Sequence, residues 1–460
     1  MNVATVFGDD VLVEARAAAR VVVTEGLPDL TGVPFFTIDP PGSMDLDQAM
    51  HLQRDGRGYR VRYAVADVPA FVRPGGAIDI EAHRRGTTIY CPDGRFPLHP
   101  EVLSEDAASL LPGKVRPAFV WDIRLDADGN EIEGHVSRAA VRSIARLTYD
   151  EAAGSGDGSI ALLREIGELR IALQQRRGGA SLPMPEQQVV EVAPGTSTLE
   201  YRPSLASEEW NEQISLLAGM AAATMMLQAR VGILRTMPEP TSLAIARIRR
   251  QARALGVSWP KSLPYGDALR TLDLSNPQHL ALVHEASSLF RGADYTAFDG
   301  TLPEQTSHAA VAAPYAHVTA PLRRLVDRFG LLVCEAVSAG RPVPDWVRAA
   351  LPGLPEIMTG ADRLASAVER ACIDAAEASI LSGLIGSTFS AVVVDQTDRG
   401  SIVVQLIDPA IVATVKATAP LGATVTVRVA AADVTAGKVV FALVDPSGPA
   451  PAGPIVRPSV

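Results

Sequence analysis

Cysteine is scarce in this chain. Its three residues (Cys91, Cys334 and Cys372) are odd in number, scattered and in no zinc spacing. They exclude a disulfide framework and a structural zinc site, and read as small buried hydrophobes. Lysine is scarce too, with 4 residues beside 38 arginines, a bias that the many Ala, Gly, Val and Pro residues trace to a GC-rich coding sequence. No run reaches about 18 apolar residues without a charge or a breaker, so no membrane span is expected. The opening MNVATVFGDDVLVEARAAARVVV carries acidic residues where a secretory signal needs basic ones. A cytoplasmic location is therefore expected. Positive charge is short overall: 42 Lys plus Arg face 52 Asp plus Glu, for a net charge of −10. That balance opposes a polyanionic partner on its face, but a summed charge does not describe a local channel.

The chain nevertheless has the makings of sizeable cores. At 460 residues, with 47% hydrophobic and 20% charged side chains, it reads as two or three globular domains. Residues 1–34 hold one short amphipathic segment and a Gly/Pro-marked linker, an arm rather than a domain. Strands dominate from Phe35. FFTI ends at the turn-rich run Asp39-Pro40-Pro41-Gly42-Ser43. Tyr59, Val61, Tyr63 and Val65 alternate with Arg60, Arg62 and Ala64, behind a hairpin at Asp55-Gly56, and a second hairpin is expected at Asp128-Gly129. The middle turns helical, with helices predicted over 160–176, 207–230, 278–290, 319–337 and 356–384. From 387 to 444 five short strands rich in Val and Thr fit a small closed barrel of the OB kind. The end, from 447 to 460, is a Pro/Gly-rich tail predicted to be disordered. Strands followed by helices in blocks give an α+β class, a mixed sheet with packed helices followed by a small all-β barrel.

The chemistry concentrates in two stretches. In the first, Thr37 to Gln48, a strand delivers Asp39 into a tight turn, with Asp45 and Asp47 on its far side. Two residues apart, Asp45 and Asp47 project to one side of an extended segment. Three carboxylates this close repel unless a cation lies between them, and hard Mg²⁺ or Mn²⁺ suits oxygen ligands. A solvated turn with an Asx cap is the competing reading. In the second, Tyr315 to Asp327, Thr319 suits an N-cap and Pro321 a first helical turn. Arg323 and Arg324 would then lie at the positive end of a helix, a conflict that a bound anion would resolve. Against this stands a plain ion pair of one arginine with Asp327. Carboxylates plus an arginine at a phosphate-binding helix end suggest metal-assisted phosphoryl transfer.

The blocks FFTIDPPGSMDLDQAM, YAVADVPAFVRPGGAIDIEAHRRGTTIYCPD, PLHPEVLSEDAASLLPGKVRPAFV, RRGGASLPMPEQ, WNEQISLLAG and YAHVTAPLRRLVD resemble, in order and spacing, the ribonuclease II (RNB) family of exoribonucleases. The resemblance covers about residues 35 to 385. It implies a 35–385 catalytic domain, a 386–446 OB-fold RNA-binding-like domain, and Mg²⁺-dependent 3′→5′ hydrolysis of single-stranded RNA to nucleoside 5′-monophosphates. It further implies that Asp39, Asp45, Asp47 and Gln48 occupy the four-aspartate metal motif, Asp47 being the essential one. Arg323 would contact the scissile phosphate with Arg324 beside it, Tyr90 would stack on the terminal base, and Glu212 would lie near the terminal ribose. Gln48 is a departure from the family pattern. A neutral ligand there should weaken metal binding and favour Mn²⁺, or mark a catalytically impaired RNA-binding relative. Pro183 stands where a second aromatic clamp is usual. With about 34 residues upstream, a short form without cold-shock domains is expected. The barrel, with Arg399, Lys416, Arg428 and Lys438 as its basic residues, is expected to bind RNA weakly and to serve mainly in packing, and processivity is expected to be low. Single-stranded RNA is the partner that the resemblance implies.

Overall fold

The computed structural model describes residues 3–444, apart from residues 22, 93, 183, 185, 194–195, 203, 398–399 and 407. Pro183, Arg399 and the 447–460 tail therefore lie outside the described residues.

The first sheet closes on itself. Strands β1 (Phe35–Ile38), β2 (Gln48–Asp55), β3 (Gly58–Ala66), β6 (Val115–Leu125) and β7 (Glu131–Leu147) form a five-stranded barrel in that order. All pairs are antiparallel except β1 with β7, which run parallel and close the ring. The two expected hairpins join β2 to β3 and β6 to β7. Gly56 (φ 60°) and Gly129 (φ 81°) supply the left-handed backbone that such tight turns demand. The period-two alternation sorts side chains into two cores. Tyr63, Val65, Trp121 and Ile123 pack with the helices, whereas Ala64, Ala66, Ala118 and Val120 pack with Leu46, Leu103 and Leu110. The helix α1 (Asp9–Ala18) lays Val11 and Ala15 on the second core, beside α2 (Ala77–Arg85).

Between α2 and β6 lies a small hairpin, β4 (Ile89–Cys91) and β5 (Gly94–Phe96), with Tyr90 opposite Arg95. After the barrel come α3 (Tyr149–Gly154) and α4 (Gly158–Arg176), the hairpin β8–β9 (Glu186–Ala193 and Thr196–Arg202), and the long α5 (Ala206–Ala229). Strands β10 (Val231–Thr236) and β11 (Asp294–Asp299) pair across an inserted helical unit, α6 (Ser242–Ala254), α7 (Tyr265–Arg270) and α8 (Pro277–Ala286), which has its own core around Ile248, Leu269 and Leu282. A two-residue bridge, β12 (Ser307–His308) with β13 (Ala313–Pro314), precedes α9 (Leu325–Ser338), α10 (Asp345–Ala350) and α11 (Leu354–Ser382). Strands β14 (Thr388–Thr397), β15 (Ser401–Leu406), β16 (Ile411–Val415), β17 (Thr424–Asp433) and β18 (Lys438–Leu443) form one sheet ordered β16-β15-β14-β17-β18. Its two edges approach each other, which makes it a nearly closed OB-like barrel. Phe441 is buried in this barrel's core and Phe389 packs against it.

Three of the five predicted helices form within two residues of the expected ends, and the one predicted over 278–290 is α-helical to Ala286 and continues as a 3-10 turn over Ser287–Phe290. The exception is instructive. No helix begins at Thr319; α9 starts at Leu325, with Arg324 as its N-cap in extended backbone (φ −132°, ψ 127°). Residues 320–323 form a turn instead, closed by the Arg323 N–H on the Ala320 carbonyl at 3.2 Å. Of the three cysteines only Cys334 is buried; Cys91 and Cys372 are half-buried. No helix among the described residues is long and apolar enough to cross a membrane.

Candidate active site

Strand direction decides where the carboxylates meet. Because β1 and β2 are antiparallel, the end of β1 and the start of β2 share one rim of the barrel. Asp39 follows β1, and Asp45 and Asp47 precede β2. Strand β7 runs parallel to β1, so Tyr149, just past its end, arrives at the same rim. Leu46 anchors the motif. It is fully buried, and its N–H donates to the Ser109 hydroxyl at 2.9 Å. Burying a leucine side chain contributes about 1.5–3 kcal/mol. That pins Leu46 inward and turns both flanking aspartates the other way.

At this rim lies a cleft of about 360 Å³, lined by Asp39, Asp45, Asp47, Gln48, Tyr90, Glu212 and Arg323. Seven of the eight site residues proposed from sequence are thus brought together from four separated stretches of chain. Tyr63, Arg95, Tyr149, Glu208, Asn211 and Ser215 share the lining and were not anticipated. Helix α5 contributes Glu208, Asn211, Glu212 and Ser215 at spacings of three and four, a helical face the sequence did show. Arg95 had no such signal, since only the β4–β5 register sets it opposite Tyr90.

Arg324 is the exception and a correction. Its guanidinium forks onto Asp327 with two hydrogen bonds of 2.9 Å, and the Asp327 side chain is fully buried. Arg324 does not line the cleft. Because the helix starts later than the sequence suggested, no anion is needed to relieve two arginines at its end. The other oxygen contact of Asp327 is to the Ala320 N–H at 2.7 Å. Arg323, in contrast, is about 45% exposed in its side chain and sets its Nε 3.4 Å from Asp47 Oδ2.

The three aspartates differ. Asp47 is 3% exposed, and its Oδ1 accepts the Leu322 N–H at 2.7 Å. Burial pushes its pKa up to about 8, against the opposing pull of Arg323. Asp39 is pushed up to about 6, again chiefly by burial, and its buried Oδ2 has no hydrogen-bond partner. Asp45 is occupied. Arg95 Nη1 donates to its Oδ1 at 3.0 Å and the Tyr90 hydroxyl to its Oδ2 at 3.2 Å, while Arg95 Nη2 reaches Glu105 at 2.6 Å. Across the lining, five carboxylates face two guanidiniums. A raised, orphaned carboxylate in such a cleft is short of a cation. Among the described residues, no three His, Cys, Asp or Glu side chains gather as a metal site. Two do suffice for Mg²⁺, which keeps several waters and takes one or two carboxylates beside substrate phosphates. Asp39 and Asp47 fit that requirement, with the Gln48 carbonyl oxygen as a neutral third donor.

The model of the RNB domain matches residues 28–333, two thirds of the chain. This chain belongs to the RNB family. A second model, the RNase II-type exonuclease C-terminal S1 domain, matches residues 387–444, the terminal barrel. Among curated proteins, the Arabidopsis thaliana "Exosome complex exonuclease RRP44 homolog A" is 30% identical over 324 residues, covering 65% of this chain and 34% of that protein. Escherichia coli Ribonuclease R is 29% identical over 325 residues, covering 66% and 39%. The chain thus spans little more than a third of the length of these relatives. Among solved structures, Mycoplasma genitalium RNase R in complex with ribose-methylated single-stranded RNA superposes with a TM-score of 0.85 at 20% identity, over 95% of this chain and 76% of that one. Yeast Ssd1, a pseudonuclease, superposes at 0.69 with 18% identity, over 85% and 50%. At those identities the structures bear on the fold alone, and the RNB fold accommodates inactive relatives as well as nucleases.

Proposed function

We propose that this RNB protein is a metal-dependent 3′→5′ exoribonuclease that hydrolyses single-stranded RNA to nucleoside 5′-monophosphates. The observation that carries the reading is the convergence of Asp39, Asp47 and Arg323 in one cleft, with a buried carboxylate oxygen left without a partner. We read residues 35–385 as the catalytic unit and 386–446 as its appended barrel. Water adds to phosphorus, the bond to the preceding 3′ oxygen breaks, and that oxygen leaves with a proton. Arg323 faces the scissile phosphate and balances the charge that grows on its oxygens. Asp39 and Asp47 would hold a divalent cation, which would supply positive charge at the same phosphate, Mg²⁺ by preference and Mn²⁺ as the alternative that Gln48 would tolerate. Asp47 would orient the water. Tyr90, about 48% exposed, offers a ring face to the terminal base, and Glu212, which lines the same cleft, serves the terminal ribose. In the barrel Lys416, Arg428 and Lys438 are the basic residues among those described, and all three are solvent-exposed. So sparse a positive surface grips a strand weakly, and low processivity follows.

The experiment is a denaturing-gel time course on 5′-labelled single-stranded RNA with Mg²⁺, Mn²⁺ or chelator, comparing wild type with Asp47→Asn. A 3′-shortening ladder that needs metal and vanishes in Asp47→Asn is the expected result. The second reading, a catalytically impaired RNA-binding protein, is favoured by Gln48, and the fold admits it, since the pseudonuclease Ssd1 shares that fold. Intact RNA in every wild-type lane, with binding retained in a gel shift, would establish it instead.

A further inference from the structure

Gln48 looks like a lost ligand in the sequence, but in the structure its side chain already has a task. Its Nε2 donates to the main-chain carbonyl of Thr319, a residue only 2% exposed. Thr319 is the residue before the 320–323 turn that presents Arg323. Its hydroxyl is tied to Ser215 on α5 at 2.9 Å. Beside it, Asp47 accepts the Leu322 N–H at 2.7 Å. On its far side, the Arg323 carbonyl accepts from Thr88 N at 2.9 Å and Thr87 Oγ1 at 2.8 Å. The turn is therefore held by two consecutive residues of the motif, one taking an N–H and the next giving one.

The chemistry of this contact selects an amide. A carbonyl oxygen needs a donor, and an ionised carboxylate at position 48 has none to offer. Aspartate or glutamate there would set acceptor against acceptor and leave the Thr319 carbonyl unpaired, with the full cost of a buried polar group. We propose that Gln48 is a positioning residue, an amide latch that fixes the 320–323 turn and so aims the Arg323 guanidinium at the substrate phosphate. Restoring an acid at position 48 then damages the site rather than repairing it. The inference rests on the reading of the cleft as an RNA-binding, RNA-cleaving centre.

The test compares Gln48→Glu, Gln48→Asp, Arg323→Ala and the double variant Gln48→Glu/Arg323→Ala with wild type. Two readouts need no cleavage: hydrogen exchange of the 319–324 peptide, and anisotropy of a fluorescent single-stranded RNA bound in the presence of chelator. With the latch removed, the Leu322 and Arg323 amides exchange about tenfold faster, the equivalent of one buried hydrogen bond. RNA affinity falls about fivefold to tenfold in both single acid variants, while the melting temperature drops by only about 2–4 °C, the shift that one unpaired buried group accounts for. Arg323→Ala falls at least as far, and Gln48→Glu adds nothing to it, because the latch acts only through that arginine. Unaltered exchange in Gln48→Glu would overturn the proposal. So would a Gln48→Asp variant that cleaves faster with Mg²⁺, or additive losses in the double variant. Wild type that binds no RNA at all would instead remove the RNA reading, and the exchange measurement would still decide whether the latch exists.

Discussion

The helix that follows the Arg323 turn is moored to the barrel side by one buried charge pair, and breaking it should be costly. Arg328 on α9 is 2% exposed and donates to Asp79 on α2, whose side chain is 10% exposed. Its Nε has no partner, so beyond the ring of Phe329 4.7 Å away, Asp79 carries the compensation. Asp79 also takes the Gly75 N–H at 2.7 Å and lies 3.2 Å from His83. Removing one member of such a pair leaves an uncompensated buried charge and costs about 3–5 kcal/mol. Asp79→Ala is therefore expected to destabilise by that amount, whereas Asp79→Ala with Arg328→Met should recover most of it, since apolar replacement of both partners is often near neutral. Denaturant unfolding followed by tryptophan fluorescence would report it, Trp346 lying edge-on to Phe329 at 5.8 Å. Burial alone would raise the Asp79 pKa, but its bonds to His83, Arg328 and Gly75 overcome that and hold it well below the usual carboxylate range. The folded state then binds fewer protons than the unfolded one at this group. Its stabilisation is complete above about pH 4 and is lost as the pH falls below that value. A loss under about 1 kcal/mol in Asp79→Ala, or a double variant whose losses simply add, would refute this account.

Three further outcomes follow from the structure. Burial pushes Glu377 on α11 up to about 7 against its bond from Gln187, so the folded state holds its proton longer. Stability should fall as the pH rises from 4.5 to about 7, and thermal melts of Glu377→Gln should lose that slope and sit higher at pH 8. Gly219 in α5 lets the chain at Tyr315 pass close by, for a Cβ there would lie 2.2 Å from the Tyr315 ring and 2.7 Å from the Ala316 carbonyl oxygen. Gly219→Ala gains about 1 kcal/mol of helix propensity but loses about 1–3 kcal/mol to overpacking; a melting temperature above wild type would contradict it. Adding Mg²⁺ to chelator-treated protein should raise the melting temperature, and Asp39→Asn should abolish most of that rise, since the orphaned Asp39 oxygen is the group the ion satisfies.

The local patterns were readable without coordinates. Alternation at Tyr59 to Val65 marked a strand, Asp-Gly pairs marked hairpins, and the periodic apolar positions of α4, α5 and α11 marked helices. Such signals depend on neighbours two to four residues apart, and one sequence carries them. The start of α9 was not readable. Thr319 and Pro321 satisfy the local rules for a helix start, yet the hydroxyl of Thr319 goes to Ser215 and its carbonyl to Gln48. Tertiary partners outbid the cap, and the turn that replaced it is what separates exposed Arg323 from Arg324 on Asp327.

By itself, then, the sequence determined which residue types could do the chemistry: the aspartates, their spacing around Leu46, the arginine pair and the tyrosine of the β4–β5 hairpin. Only the tertiary structure decided which of them meet and which are spent elsewhere. The closure of β1 on β7 gathers one rim, Arg95 and Tyr90 occupy Asp45, Asp327 takes Arg324, and Gln48 faces a carbonyl. Each of those outcomes depends on a contact between residues far apart in the chain, settled when buried polar groups must find partners as the core closes.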